Sequence, residues 1–300
     1  MINKENLKKV LDFLEFTHRK EIYTYKNTIL GYTIVVDFAG KGKITYPDGV
    51  IVNDETTSNL TKNENFVVLE CVYRLLKLGY KPECIELEPK WEAPHDIGGG
   101  GKADVLVKDN AGESFLLIEC KTWGKEFDNY WKKTEQDGDQ LFFYAVQKRS
   151  TQYLCMYASN WDNDELVRKS NIISLKDNTA TLESFDEPIS FEKANDKSSL
   201  FAAWNITYGK YSFKNGIFED TCIPYLIEEK GRDISNITEI SHDDIQKKYH
   251  EFTTILRQHN VSGRENAFDK LVNLFLAKIV DEIRNSDKLQ FYWGGDHNMM

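Results

Sequence analysis

The sequence lacks several features that would assign the protein to a large class. No apolar stretch approaches the roughly 20 residues of a membrane-spanning helix. Cysteine is scarce: the chain has five, with no CxxC pair and no zinc-ligand spacing, so neither a disulfide framework nor a structural zinc site is expected. The N-terminus is polar, with no visible signal peptide. We therefore expect a cytoplasmic protein without membrane contacts.

Positive charge is also in short supply. The chain has 38 Lys and Arg against 48 Asp and Glu, which gives a net charge of −10 at pH 7. Proteins that bind nucleic acid unaided usually present a basic face, so this balance argues against autonomous DNA binding. At 300 residues, 41% of them hydrophobic, the chain is long enough for a buried core and for two modules.

The hydrophobic pattern predicts an α/β protein. Helical spacing predicts helices over about 4–19 and 61–78, the second opening with the capping-box pattern Thr61-x-x-Glu64. A third helix over about 126–148 is interrupted near Gly138. The segment 162–235 has a weaker pattern of short β-like runs, and capped helices follow from about 241 and 262. Apolar or alternating runs predict strands within 30–53, 84–91, 102–108, 114–121 and 151–158.

Two of these strands carry acidic residues in a pattern typical of metal sites. Asp104 lies in one short apolar run, and Glu119-Cys120-Lys121 closes the next. Because side chains alternate along a strand, Glu119 and Lys121 should point to the same face. Both faces upstream are apolar, so a charged pair at the end of this strand needs partners or a metal ion. Two carboxylates suit Mg²⁺, and a lysine beside them can orient water or stabilise charge on a phosphate.

Gln140 and Tyr144 follow on a predicted helix, four residues apart and therefore on one face. With these five residues the chain resembles the PD-(D/E)xK nuclease superfamily, in the Gln-xxx-Tyr branch found at the N-terminus of type I and single-chain restriction–modification enzymes. The resemblance covers roughly residues 30–160. One departure is Ala103, where the superfamily name has proline. The residues that carry the likeness are Asp104, Glu119, Lys121, Gln140 and Tyr144.

The resemblance implies a restriction-endonuclease-like core, with a mixed central sheet flanked by helices. It implies Mg²⁺-dependent cleavage of double-stranded DNA, with Mn²⁺ as a possible substitute. Asp104 and Glu119 are the expected metal ligands, and Lys121 the residue that assists the attacking water. Gln140 and Tyr144 would orient the metal-site residues or contact the DNA backbone. The alternative is a nuclease-like module that binds DNA or assembles a restriction–modification complex without cutting.

The C-terminal segment suggests a second module. Residues 1–235 are assigned to the nuclease domain and its extensions, and residues 236–300 to a helical segment. The run from Phe268 to Ile279 resembles the first helices of adenine DNA methyltransferase modules, yet no catalytic methyltransferase motif follows it. The resemblance therefore implies methyltransferase and specificity domains or subunits as partners, in the same longer polypeptide or in separate chains.

Several assignments stay open at the level of sequence. Glu64 and Glu70 compete to be a helix carboxylate at the metal site. Glu64 is favoured because it shares a face with apolar residues, whereas Glu70 is expected to face water beside Arg74 and Lys77. Glu88 is expected to be solvent-exposed, with a role as an auxiliary metal ligand as the alternative. The glycines from 98 to 101 and the pair His95-Asp96 are interpreted as loop. Basic residues that could follow a phosphate backbone are Lys121, Lys125, Lys132, Lys133, Lys148 and Arg149.

Overall fold

The computed structural model describes residues 1–28, 31–90, 102–109, 111–214 and 264–284, with side chains from 272 onward in the last range. Contacts divide the chain into two units, Met1–Ile227 and Glu228–Met300. Predictions for the glycines at 98–101, for His95-Asp96 and for the helix from 241 lie outside the described residues. Among the described residues, no helix combines the length and apolar character needed to cross a membrane.

The first unit combines helices with short and long strands. The helices are α1 (Leu7–Phe13), α2 (Asn63–Lys77), α3 (Lys125–Asp137), α4 (Asp139–Gln147), α5 (Thr179–Glu183) and α6 (Lys197–Ala202), with a 3-10 turn at Pro82–Cys84 and a π turn at Ala203–Thr207. The strands are β1 (Thr17–Arg19), β2 (Ile22–Lys26), β3 (Thr33–Asp37), β4 (Lys43–Thr45), β5 (Ile51–Val52), β6 (Ile85–Leu87), β7 (Val105–Lys108), β8 (Ser114–Cys120), β9 (Tyr153–Asp162), β10 (Glu165–Ser174) and β11 (Phe213–Lys214).

The strands form two sheets. An antiparallel sheet has the order β1-β2-β3-β4, and a seven-stranded mixed sheet has the order β11-β10-β9-β8-β7-β6-β5. In the mixed sheet β8 pairs parallel with β9, and β5 parallel with β6, whereas the remaining pairs are antiparallel. The protein is therefore a mixed α/β fold with a mixed sheet and flanking helices. The hydrophobic pattern predicted the α/β class, and the resemblance implied the mixed sheet.

The central strand β8 separates two apolar cores. All seven of its residues are buried, which agrees with a strand predicted to be apolar on both faces. Val105, Leu116 and Ile118 join the core that contains α1, α2 and the four-stranded sheet. Leu106 and Leu117 join the core formed with α3, α4 and α6. Strands β7 and β8 are thus packed against an apolar core on each face of the sheet.

Two helix boundaries bear on the site. The helix predicted over 126–148 is two helices, because Gly138 adopts a left-handed φ of 82°. A Cβ atom there would lie 2.9 Å from Cδ2 of Phe142. The predicted capping box of α2 is wrong: the helix begins after Lys62 without a side-chain cap, and Thr61 instead bonds to Asn59. This frees Glu64 to make other contacts.

Outside the core motif the agreement is mixed. The first helix is shorter than the predicted 4–19, because Thr17–Arg19 enters the four-stranded sheet. The β-like run at 172–175 belongs mostly to the ten-residue strand β10, and Phe213–Lys214 pairs with that strand. In the second unit the helix predicted over about 263–283 is present as α7 (Arg264–Arg284). Its exposed apolar side chains include Leu274, Phe275, Leu276, Ile279, Val280 and Ile283.

Candidate active site

The ends of β7 and β8 bring two acidic residues together. Val105 pairs with Ile118, so the next positions toward the end of β8 are Asp104 and Glu119, on one face of the sheet. Asp104 Oδ2 accepts a hydrogen bond of 2.7 Å from the backbone N–H of Cys120. This bond fixes the carboxylate of Asp104 against the last residue of β8. The acidic pair of the motif is therefore set by strand pairing.

Lys121 lies between two carboxylates. Its backbone N–H donates to the Tyr157 carbonyl at 2.8 Å, which continues the parallel pairing of β8 with β9 beyond the strand end. Its Nζ donates to Glu119 Oε1 and to Glu64 Oε1, each at 2.7 Å. The side chains of Lys121 and Glu119 are only 7% and 6% exposed, whereas Glu64 is 27% exposed. The lysine is thus a buried ammonium group held by one strand residue and one helix residue.

The carboxylates and the lysine shift each other's proton affinity. Burial raises the pKa of Asp104 well above its usual value, and the charges of Glu119 and Glu64 add to the effect. Burial also raises the pKa of Glu119, against the opposing effects of Lys121 and Tyr144. Burial alone would lower the pKa of Lys121, but the three carboxylates outweigh it and raise that pKa. Lys121 is therefore a permanent cation at neutral pH.

Tyr144 reaches the site from α4, whereas Gln140 does not make a comparable contact. The buried Tyr144 hydroxyl donates to the Lys102 carbonyl at 2.9 Å and interacts with Glu119. Burial, followed by the nearby charges of Glu119 and Asp104, raises the pKa of Tyr144, so the hydroxyl stays protonated. Gln140 lies exposed in the first turn of α4, and its side chain forms no hydrogen bond with the described residues. Its role stays a prediction.

One oxygen of the site has no hydrogen-bond partner within the part of the chain that the structure describes. This oxygen is Glu119 Oε2, which is buried and accepts no hydrogen bond from any described residue. A buried carboxylate oxygen without a donor is costly unless a cation or water satisfies it. No three metal-ligating side chains of the described part are gathered closely enough to complete a cation site. Mg²⁺, however, often binds one or two carboxylates and keeps several waters. Asp104 and Glu119 fit such a site.

Glu64 and Glu70 on α2 both bind a basic side chain. The sequence predicted the orientation of Glu64 correctly and that of Glu70 wrongly. Glu64 turns toward the strand ends and binds Lys121. The prediction that Glu70 faces water is wrong: its side chain is 1% exposed and accepts a 2.7 Å bond from Arg168 Nε. The Tyr157 hydroxyl donates to its second oxygen at 2.6 Å. Glu70 is therefore a structural ion-pair residue that joins α2 to β9 and β10.

Glu88 was also misassigned. It is 1% exposed and not solvent-facing, because a left-handed φ of 52° interrupts the alternation that placed it outside. Its Oε1 accepts from the Thr57 N–H at 2.9 Å and from the Thr56 hydroxyl, while its Oε2 is buried without a hydrogen-bond partner among the described residues. Its own N–H donates to the Asp104 carbonyl at 3.0 Å. Glu88 is thus a second buried carboxylate adjoining Asp104, which regular alternation could not reveal.

Tyr130, which the sequence analysis did not single out, also contacts the site. The Tyr130 ring on α3 lies with its centroid 4.7 Å from Lys121 Nζ, a cation–π distance. Of the basic residues considered for a phosphate backbone, Lys148 and Arg149 lie just before β9, near Ser114 at the opposite end of β8 from Lys121. They are therefore remote from the candidate site, whereas Lys132 and Lys133 lie on α3 with Tyr130.

Comparisons with known proteins add no family assignment. No family model matches the chain, and a search of curated proteins returns no match.

Proposed function

We propose that this chain is a metal-dependent deoxyribonuclease with a restriction-endonuclease-like core, which hydrolyses phosphodiester bonds of double-stranded DNA. The observation that carries the proposal is the buried cluster of Asp104, Glu119 and Lys121, in which Glu119 Oε2 has no hydrogen-bond partner among the described residues. A carboxylate pair beside a buried cation, at the ends of adjacent strands, suits an anionic substrate that arrives with a divalent metal ion.

The residues divide the work as follows. Asp104 and Glu119 would hold Mg²⁺ or Mn²⁺, which would activate a water molecule and neutralise charge on the phosphate. Lys121 remains protonated, so it stabilises the negative charge that develops on the phosphate oxygens and does not act as a base. Glu64 holds the ammonium group in position through Oε1, and as a third or water-bridged metal ligand it would use its second oxygen. Tyr144, whose hydroxyl bonds to the Lys102 carbonyl beside Glu119, would orient the metal-site residues, and Gln140 would contact the substrate backbone.

A plasmid cleavage assay tests the proposal. The wild-type chain should convert supercoiled DNA to nicked or linear forms with Mg²⁺ or Mn²⁺ and not with excess chelator. Asp104→Asn should abolish cleavage while its thermal unfolding stays close to wild type. A matched control, Asp164→Asn, changes an exposed residue in the turn between β9 and β10 and should cut normally. Retained cleavage in Asp104→Asn would overturn the site assignment.

One observation favours a second candidate, a nuclease-like module that binds DNA or assembles a restriction–modification complex without cutting. The net charge of −10 suits a chain that depends on partners for DNA affinity. Methyltransferase and specificity domains or subunits are the proposed partners, and the exposed apolar residues of α7 are candidate contacts with them. A cytoplasmic location goes with this assignment. Wild-type protein that binds a duplex but never cuts it, with either metal, would favour this candidate.

A further inference from the structure

One surface beside the candidate site has an unusual charge arrangement for so acidic a chain. An open depression of about 620 Å³ is formed by the outer face of α3. Asn129, Lys132 or Lys133, and Gln136 follow each other at helical spacing, so they share one face, and all four are exposed. The depression is lined by Glu126, Asn129, Tyr130, Lys132, Lys133 and Gln136.

All four acidic residues of α3 make contacts of their own, and Asp137 accepts from the Asp139 N–H at 2.8 Å. Glu126 accepts from the Thr122 N–H at 3.2 Å and from the Thr122 hydroxyl. Asp128 pairs with Lys169 at 2.9 Å, and Glu135 accepts from the Trp131 indole at 2.8 Å. Lys132 and Lys133 form no ion pair within the described part of the chain. The lining therefore holds two ammonium groups that have no ion-pair partner among the described residues, two side-chain amides, and one carboxylate, Glu126, which is held by Thr122. Ammonium and amide groups are donors that suit phosphate oxygens.

Tyr130 connects this depression to the catalytic cluster. Lys133 Nζ lies 4.9 Å from the centroid of the Tyr130 ring, and Lys121 Nζ lies 4.7 Å from the same centroid. A DNA strand carries one phosphate per roughly 3.4 Å of duplex axis, so these two lysines can serve phosphates only a few nucleotides apart. The spacing fits a single strand that passes both groups.

We infer that the face formed by Asn129, Lys132, Lys133 and Gln136 binds the phosphodiester backbone of the strand being cut, next to the scissile phosphate. This inference rests on the proposed function and names the substrate contact beside the same site. Lys121 acts on the reacting phosphate, while Lys132 and Lys133 hold a neighbouring phosphate through charge. Asn129 and Gln136 donate amide hydrogen bonds to its oxygens. Such contacts give affinity without sequence preference.

The test measures DNA binding apart from cleavage. Fluorescence anisotropy follows a labelled random-sequence duplex in excess chelator over a range of salt concentrations. Lys132→Gln/Lys133→Gln in the full chain should weaken binding several-fold at low salt. Its plot of log affinity against log salt should be shallower by about 0.9, since the two lysines hold one phosphate and each lost phosphate contact removes about 0.9. The control Lys148→Gln/Lys193→Gln removes the same charge from exposed lysines at the opposite end of the sheet and should bind like wild type.

Each outcome decides a separate question. An unchanged salt slope in Lys132→Gln/Lys133→Gln, an equal loss in the control pair, or no duplex binding by wild type would overturn the inference. So would competition by polyglutamate as strong as that by duplex DNA, because the face would then bind any polyanion. A wild-type chain that cuts plasmid while Lys132→Gln/Lys133→Gln binds normally refutes only the inference. Suppose that the wild-type chain binds duplex DNA but never cuts it, and that Lys132→Gln/Lys133→Gln binds the duplex less tightly. That result refutes only the proposed nuclease activity.

Discussion

Glu64 and Glu70 lie on the same helix, and the same Glu→Gln change should have opposite consequences at the two positions. Glu70 is enclosed between Arg168 and the Tyr157 hydroxyl with 1% of its side chain exposed. Glu64 is 27% exposed and binds the ammonium group of Lys121. We expect Glu70→Gln to lower stability with little direct effect on the site, and Glu64→Gln to alter the site with little effect on stability.

The magnitudes follow from burial. Removing one partner of a buried ion pair costs about 3–5 kcal/mol. Glutamine keeps one acceptor oxygen, and Arg168 remains 26% exposed to water, so we reduce the expected cost of Glu70→Gln to about 2 kcal/mol. For a unit of this size that corresponds to a fall in Tm of about 4–8 °C. Glu64→Gln should change stability by less than about 1 kcal/mol. It should, however, raise the metal concentration for half-maximal cleavage about 10-fold.

Thermal unfolding by circular dichroism and a Mg²⁺ titration of plasmid cleavage, both on the full chain, measure the two effects. Cleavage is compared at a temperature where both variants are folded. The reasoning is refuted if Glu70→Gln unfolds at the wild-type temperature. It is equally refuted if Glu64→Gln leaves the metal titration unchanged while losing as much stability as Glu70→Gln.

Other parts of the chain give further expectations. Lys121→Met should abolish cleavage, because no other lysine or arginine of the described residues bonds to both Glu64 and Glu119. Lys148→Met should cut normally, and equal activity in the two plasmid assays would contradict this. Gly138→Ala should lower the free energy of unfolding by about 1–2 kcal/mol in chemical denaturation, because φ is left-handed and Phe142 is too close to a new Cβ. In native thiol labelling followed by mass spectrometry, Cys84 should react slowly, since burial raises its pKa. Three fully buried cysteines should stay unlabelled until the protein unfolds, and labelling in the native state would contradict the core: Cys71, Cys120 and Cys155.

The strand pair at the site could be anticipated because its geometry depends on local pattern. Side chains alternate between the two faces of a strand, and a strand buried on both faces cannot shift its register. The two-residue spacing of Glu119 and Lys121 therefore predicted that both point to the same face. Their 2.7 Å contact follows from that rule. The break between α3 and α4 could also be predicted from local sequence. A Gly within a helical pattern permits the left-handed residue that ends a helix.

Glu70 and Glu88 could not be placed by the same reasoning. The partners of Glu70 are Tyr157 and Arg168, which lie 87 and 98 residues later in the chain. A local comparison therefore saw only Arg74 and Lys77 beside it. Glu88 depends on a positive φ next to a proline, a conformation that ordinary residues avoid. Helix and strand periodicity describe local geometry, so they fail where a distant partner or an unusual backbone angle decides burial.

The charge balance of the cluster is the strongest physical reason to expect a divalent cation there. Lys121 faces three carboxylates, so its single ammonium group cannot neutralise them. Burial raises the pKa of both Asp104 and Glu119, and the protein must therefore either bind protons at these groups or bind another cation. A bound metal ion would replace those protons and satisfy Glu119 Oε2. Because Glu64 and Glu119 already hold Lys121, the ion would neutralise the acids without displacing the lysine that the proposed chemistry needs.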